Sequence, residues 1–517
     1  MTTAPPSIKR FPLFPLIGQL TALFLLILGC KFWLIATYSS PLPLLDQWKG
    51  EGTEVLQPWM RGELRAGDLL APFNEHRIVP TRILTLGLFE ANGRQWDAQV
   101  AMTIGAGLHA LCAVVLGLLL IKHLDSPHRG PALAMLLILF SLTFDWQNTL
   151  WGFQSQFYFL ILFTLGAFWG LAGSPAGTGR WWCGGIAALF ACLSMGSGGF
   201  AGLAVALWLS AKLLLYPELR HQRGTWITVV LSAAFFALSL ALYRPPQAES
   251  LAVLHATSVG SFIRAFLIHL SWPNNASPLF ATLTYAPLAL LLWCRWRNRS
   301  VESPHSSVDD LLFLLGLWVI LHAAALAWSR NHPMTPLISR YTDILALGAL
   351  VNFCALLHLR TRLPAFRWKD RAIIAGTVVW VALFFVGLAP LLQRNFRLDL
   401  PSLQKIQQHQ AAAVRQFLVT GQTDDLGGKR VFGIPPAEVP MLAELLRDPL
   451  IQNALPVGIG VRRNLAPPGL LTSTSRFFID GWIFFVGGAA AALFFLTLRQ
   501  TLRSRRIPEP AVVQVEA

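Results

Sequence analysis

The sequence predicts an all-α polytopic membrane protein with about twelve transmembrane helices, outer-face amphipathic helices and a small C-terminal extracytoplasmic segment. Three observations predict it. Of 517 residues, 54% are hydrophobic and only 13% charged, with a mean hydropathy of +0.53, against about 25% charged in ordinary soluble domains. Apolar runs of about 20 residues recur at Phe14–Ile35, Val100–Ile121, Leu311–Ala327 and Ile373–Leu392, each long enough to cross roughly 30 Å of hydrocarbon as a helix. Arginines gather in the short polar breaks between such runs, as at Arg295, Arg297 and Arg299 or Arg360, Arg362 and Arg367, where the positive-inside rule places the cytoplasm. These features exclude a soluble enzyme, a transcription factor and a secreted disulfide scaffold.

Taken in chain order, spans are expected near 14–37, 97–121, 131–144, 156–173, 182–193, 200–215, 225–243, 277–294, 309–328, 340–358, 372–393 and 477–498. The first follows Lys9 and Arg10 but is too long for a signal-peptide core and lacks a small-x-small cleavage site, so it reads as a retained helix. With the N-terminus inside, every arginine-rich break and the tail with Arg499, Arg503, Arg505 and Arg506 fall on the cytoplasmic side. The fifth and sixth spans are short and joined by Ser194-Met195-Gly196-Ser197-Gly198-Gly199, which also suits a hinge in one broken helix. A single span would put the later arginine-rich breaks outside, against the charge bias. The organisation expected is a core over 1–393 that includes a first outer loop at 38–96, an outer segment at 394–475, and a last helix with a basic tail at 476–517. The setting this implies is a membrane crossed many times, with the polar clusters on the non-cytoplasmic side.

Within the first outer loop, Val55, Leu56, Trp59, Met60 and Leu64 recur at helical spacing between charged residues. They predict an amphipathic helix over 52–70 lying in the membrane plane with its tryptophan at headgroup level. The outer segment at 394–475 is too polar to span but carries Phe417, Val431, Phe432, Met441, Leu445 and Leu446, enough to pack as a cap. Pro435, Pro436 and Pro440 predict short helices and turns there and no long element.

The net charge of +15 serves topology, with a smaller contribution from attraction to anionic membrane lipids. No basic stretch carries interleaved aromatics for stacking bases, so no nucleic-acid partner is expected. All six cysteines lie in or beside apolar runs without a CxxC pair and read as small packing residues.

Candidate chemistry concentrates on the outer side, where an ionisable group at the membrane is costly and marks function. Asp46 lies about ten residues past the first span, shielded by Leu44, Leu45 and Trp48, a setting that raises a carboxyl pKa and suits a general base. Asn74-Glu75-His76-Arg77 sets an acid, an imidazole and a cation in a row, and Arg77 with Arg82 has the geometry to clamp a phosphate; a salt-bridged corner is the plain alternative. His76 and Glu75 are metal-ligand types, but the HExxH spacing and a nearby second histidine are missing, so no metal or other cofactor is expected. Phe144-Asp145-Trp146-Gln147-Asn148 and Trp151-Gly152-Phe153-Gln154-Ser155-Gln156 concentrate amides and indoles of the kind that hold sugars, or form an interfacial aromatic belt. Arg330-Asn331-His332 and Ser339-Arg340-Tyr341-Thr342-Asp343 supply a second cation set, with Arg340 and Asp343 spaced to pair along one helix. Walker A, GxSxG and GxGxxG sequences are missing, leaving ATP-driven transport, serine hydrolysis and dinucleotide binding unsupported.

The aspartate after the first span, the large outer loop and the C-terminal outer segment resemble the GT-C superfamily of membrane glycosyltransferases that use polyprenyl-phosphate-linked sugars. Asp46-Gln47-Trp48, Phe73-Asn74-Glu75-His76-Arg77-Ile78, Leu150 to Phe157 and Ser339-Arg340-Tyr341-Thr342 resemble motifs of bacterial members. The resemblance implies transfer of a sugar from a polyprenyl-phosphate donor to a hydroxyl of an envelope glycan, glycolipid or protein. It assigns Asp46 as base with Glu75 as runner-up, Arg77, Arg340 and Arg82 to the donor phosphate, and His76, Asp145, Gln154, Trp151 and Tyr341 to sugar or acceptor. One departure is that Gln47, not a second acid, follows Asp46, which speaks against a metal-dependent variant. A flippase for lipid-linked saccharide, or a polymerase or ligase of envelope polysaccharide, is the competing expectation; a flippase favours ionisable groups deep inside helices and inverted repeats.

Overall fold

The computed structural model describes residues 13–244, 255–275, 277–299, 307–330, 338–363, 368–427, 438–456, 458–459 and 468–481, with parts of 486–497. Among these the chain is helical with no β-strand, and eight helices are long and apolar enough to cross a membrane. They are Leu16–Tyr38, Ala98–His123, Gly152–Ala172, Arg223–Leu242, Leu279–Arg297, Val308–Ser329, Ser339–Arg362 and a stretch of Lys369–Thr420. This is the architecture of an all-α polytopic membrane protein. Three further expected spans are helices of only 14 to 16 residues, Ser126–Ser141, Gly179–Cys192 and Phe200–Leu215, roughly 21–24 Å long at 1.5 Å per residue. Most of the expected span at 477–498 lies outside the described residues. A 12-residue helix, Val259–Leu270, was not expected; its start is fixed by a reciprocal cap between Ser258 and Ser261.

The Ser339–Arg362 helix occupies the centre of the bundle, whereas Arg223–Leu242 and Lys369–Arg394 sit at its periphery with exposed apolar faces. Pro287 interrupts the hydrogen bonding of Leu279–Arg297, and neighbours repair the break as a membrane interior requires. The Leu288 amide donates to Asn352 Oδ1 at 3.1 Å, and Trp380 Nε1 donates to the Thr284 carbonyl at 3.2 Å.

The short fifth and sixth expected spans are two antiparallel helices and not one broken one. Arg180 at the start of the first and Lys212 near the end of the second line a single cavity. The turn between them instead reaches the outer loop, where the Gly196 amide donates to His76 Nδ1 at 3.1 Å. Polar groups therefore segregate to two ends of the bundle. At the basic end, Arg295, Arg362 and His358 converge on Asp309 at 3.0, 2.8 and 3.2 Å.

Two local expectations are corrected at the end that carries the first loop. The helix of the first loop begins at Asp46 and runs, with a π-helical stretch at Trp48–Leu56, only to Arg61. Gly62, at a left-handed φ of 72°, stops it by donating to the Pro58 and Trp59 carbonyls, so it does not reach residue 70. The segment after 393 contains a long element after all. Lys369–Arg394 continues through a π-helical stretch, Asn395–Asp399, into Leu400–Thr420. After Arg394 it contains no glycine, its one proline, Pro401, falls in the first turn of Leu400–Thr420 where proline is tolerated, and Leu400, Leu403, Gln407, Gln410, Val414 and Phe417 are buried on one face, the spacing of an amphipathic helix. Short helices follow as expected at Val439–Arg447 and Pro449–Ala454; Val431, Phe432, Pro435 and Pro436 lie outside the described residues. Phe417, Leu442, Leu445, Leu446 and Ile451 pack with Trp48, Leu56, Phe89 and Trp96 in one apolar cluster, which seats the cap on the first loop.

Candidate functional site

Asp46 owes its position to a chain reversal. Leu45 adopts a positive φ of 49°, and Asp46 then opens the helix, where unpaired backbone N–H groups favour a carboxylate. The helix is anchored from below by Glu51, which is buried and accepts from Gln47 Nε2 at 3.0 Å, Trp96 Nε1 at 2.9 Å and Thr85 Oγ1 at 3.3 Å. Burial pushes the Asp46 carboxyl above its ordinary 3.8, with the nearby Glu75 carboxylate adding to this and Arg340 and Lys49 opposing it. No described residue hydrogen-bonds or ion-pairs with the Asp46 carboxyl. Glu438 at the start of the cap faces the same spot, its own pKa raised by burial and by Asp46.

Glu75 and His76 come from a tight turn in which Phe73 and His76 exchange backbone hydrogen bonds at 2.9 Å. Asn74 takes the left-handed position at φ 50°, which asparagine tolerates. The Glu75 carboxylate receives Arg330 at 2.8 Å. Burial would raise Glu75, but the His76 imidazole and Arg330 hold it below the usual carboxylate value. Burial lowers His76 and the Glu75 carboxylate opposes this; the imidazole Nδ1 accepts from the Gly196 amide at 3.1 Å, so the ring proton sits on Nε2. A Cβ on Gly196 would lie 2.8 Å from the Glu75 carbonyl oxygen and 3.2 Å from His76 Nδ1. Gly196→Ala is therefore expected to cost about 1–3 kcal/mol of stability, read as a lowered melting temperature of the purified protein.

Arg340 reaches the site from the Ser339–Tyr341 turn before the central helix. Ser339 Oγ donates to the Phe144 carbonyl at 2.7 Å, the Arg340 amide donates to Gln147 Oε1 at 3.2 Å, and Asn148 Nδ2 donates to the Arg340 carbonyl at 2.8 Å. The guanidinium itself lies over the rings of Trp151 and Tyr341, at 5.7 and 5.4 Å, and has no hydrogen bond or ion pair among the described residues. Tyr341 in turn bonds Arg330. Asp46, Glu75, His76, Arg330 and Arg340, with Trp151 and Tyr341, thus meet from separate stretches of sequence.

Other expected site residues lie elsewhere. The Arg82 guanidinium, 1% exposed, gives its two Nη groups to Glu54 and to the carbonyls of Asp68, Leu69 and Ala71, so it braces the loop and its burial closes it to a phosphate. Arg77 turns away, donating to the carbonyls of Leu70 and Leu242 beside Arg244, and does not converge with Arg340. Asp145 is 0% exposed and cannot touch a sugar, because Lys31 Nζ donates to both its oxygens at 2.6 Å. Gln154 is equally buried and accepts from Gln156. Gln147 and Asn148 hold the Arg340 turn. Asp343 does not pair with Arg340; it points inward to Asn148 Nδ2 at 2.7 Å and to the carboxyl of Asp145. Asn331 and His332 lie outside the described residues.

Lys31, His109, Asp145 and Asp343 form an enclosed polar cluster beneath the Arg340 turn, His109 Nε2 standing 3.8 and 3.6 Å from the two carboxylates. The ligand-type atoms of His109, Asp145 and Asp343 lie within 4.8 Å of one another, close enough for a metal ion. The Lys31 ammonium already occupies both oxygens of Asp145 and provides the cation there. Sequence reasoning left Lys31 and His109 unremarked, although a lone ionisable side chain inside an apolar run is the signal that marks such a cluster. No protein-family model, curated protein or solved structure matches the chain.

Proposed function

We propose that the protein is a GT-C-type membrane glycosyltransferase that moves a sugar from a polyprenyl-phosphate donor to a hydroxyl acceptor of a cell-envelope glycan, glycolipid or protein. The observation that carries the proposal is the pairing, at one end of the bundle, of an unpartnered half-buried carboxylate, Asp46, with an unpartnered guanidinium, Arg340. Asp46 takes the acceptor proton as the glycosidic bond forms, and the leaving lipid phosphate departs from the opposite side of the anomeric carbon, so the configuration inverts. Arg340 supplies donors where negative charge develops on the departing phosphate. Arg330, fixed by Glu75 and Tyr341, adds positive field at the same place, and Trp151 offers a ring face to the sugar. Glu75, committed to Arg330, is a positioning group, and His76 has an Nε2–H to offer a hydroxyl oxygen.

Transfer measured in membranes with matched protein content tests the assignment. Arg340→Ala is expected to lower turnover by about 10²–10³-fold, the scale of losing one transition-state donor, whereas Arg77→Ala should cost far less because its guanidinium serves loop carbonyls. Equal losses at both positions would return Arg77 to the donor site.

The proposed setting is the bacterial inner membrane with the Asp46 end facing the periplasm or cell exterior, on the strength of the arginines at the other end. In a background lacking Cys30 and Cys183, an impermeant thiol reagent should label cysteines placed at exposed Glu63 and Gln422 and miss one at Arg299. Labelling only at 299 would reverse the orientation.

A lipid-linked saccharide transporter is the second reading. It is favoured by the Lys31, His109, Asp145 and Asp343 cluster, since ionisable groups enclosed in a bundle are a mark of ion-coupled carriers. The two part on a single result: a transporter relocates the lipid-linked sugar intact, while a transferase breaks its bond to phosphate.

A further inference from the structure

A cavity of about 600 Å³ lies at the opposite, basic end. It is distinct from the Asp46 site, and nothing in the proposed reaction uses it. Its inner wall is apolar, formed by Phe168, Leu171, Leu209 and Leu314, and its polar side carries Lys122, His123, Arg180 and Lys212. The charges there are unequally satisfied. Lys212 Nζ is neutralised by Asp310 at 2.9 Å, whose other oxygen accepts from Trp208 Nε1 at 3.0 Å. Lys122 has no hydrogen bond or ion pair among the described residues. Arg180 lies 4.4 Å over the Trp169 ring and spends Nε and Nη2 on the Trp169 carbonyl, which orients the guanidinium and leaves Nη1 open. A cavity with an apolar wall and two unneutralised cations, one of them held rigid, is complementary to a phosphate group joined to an apolar body.

We propose that this cavity binds a phosphate-bearing amphiphile, with Lys122 and Arg180 on the phosphate and the Phe168 to Leu171 wall against the chain. A membrane phospholipid and a free phosphorylated molecule share this chemistry, and the experiment separates them. The full chain, purified in detergent, is exposed to phosphatidylglycerol, phosphatidylcholine or inorganic phosphate. Bound lipid is counted by native mass spectrometry and phosphate binding by melting temperature. Wild type is expected to retain phosphatidylglycerol over phosphatidylcholine, and Lys122→Gln to weaken that retention about fivefold, the effect of one basic residue near an anionic headgroup. Adding Arg180→Gln should weaken it further. Lys122→Gln removes no hydrogen bond or ion pair among the described residues, so it remains informative if the double variant misfolds. Arg299→Gln, at the same end but outside the cavity, should leave retention unchanged. Stabilisation by inorganic phosphate that Lys122→Gln abolishes supports the site with a free phosphate as its source. Equal lipid retention by wild type and Lys122→Gln together with no response to phosphate overturns the proposal, as does a loss in Arg299→Gln equal to that in Lys122→Gln.

Discussion

Replacing Asp46 with asparagine is expected to lower sugar transfer by about 10²–10⁴-fold at unchanged protein abundance, the range contributed by a positioned general base. A sugar hydroxyl is a poor nucleophile at neutral pH, and asparagine keeps the shape of the side chain while removing its basicity. The pH dependence follows from the same residue. Only the ionised carboxylate accepts the proton, and burial raises the Asp46 pKa above 3.8. Activity should therefore fall as pH drops through a value above the ordinary aspartate range. That acidic limb should vanish from the residual activity of Asp46→Asn. Near-normal transfer by the variant would remove Asp46 from the mechanism and make Glu75→Gln the next substitution, although its ion pair with Arg330 already argues for a positioning role.

Lys31→Met is expected to have the largest effect on stability. The Lys31 ammonium and the Asp145 carboxylate are 1% and 0% exposed, and removing one member of a buried pair leaves the other charge without compensation, a cost of about 3–5 kcal/mol. The double variant Lys31→Met with Asp145→Asn removes both charges and should recover most of the loss, because an enclosed neutral pair carries no such penalty. Melting temperatures of wild type, both single variants and the double variant close the cycle. Additive losses would mean that the two groups are not coupled. Since Asn148 links this cluster to the Arg340 carbonyl, surviving Lys31→Met protein should also bind donor less well.

The membrane class was legible because hydropathy and arginine placement are summed over many residues. The convergence of Asp46, Glu75 and Arg340 at one end was legible as common sidedness, since all three fall in breaks of the same parity. What each polar side chain does was less readable. Arg77 and Arg82 sit five residues apart with the same chemistry, and only the fold commits one to the Leu70 and Leu242 carbonyls and the other to Glu54. Asp145 reads as a sugar-binding acid beside tryptophans, yet its partner is Lys31, 114 residues earlier. The long Lys369–Thr420 helix was hidden because its apolar periodicity weakens after Arg394, where Pro401 does not break it. By contrast, Gly62 ending the first-loop helix followed local chemistry that the sequence displays.

The proposed cleavage of the bond between a sugar and a polyprenyl phosphate with Asp46 as base is tested by mass spectrometry of envelope glycans and lipid-linked sugars, in cells carrying wild type, Asp46→Asn at equal abundance, or no protein. A glycan, glycolipid or glycoprotein bearing one additional sugar is expected in wild-type cells only, with the lipid-phosphate sugar accumulating in the other two. Identical envelope products in all three, or a product made equally well by Asp46→Asn, would contradict it.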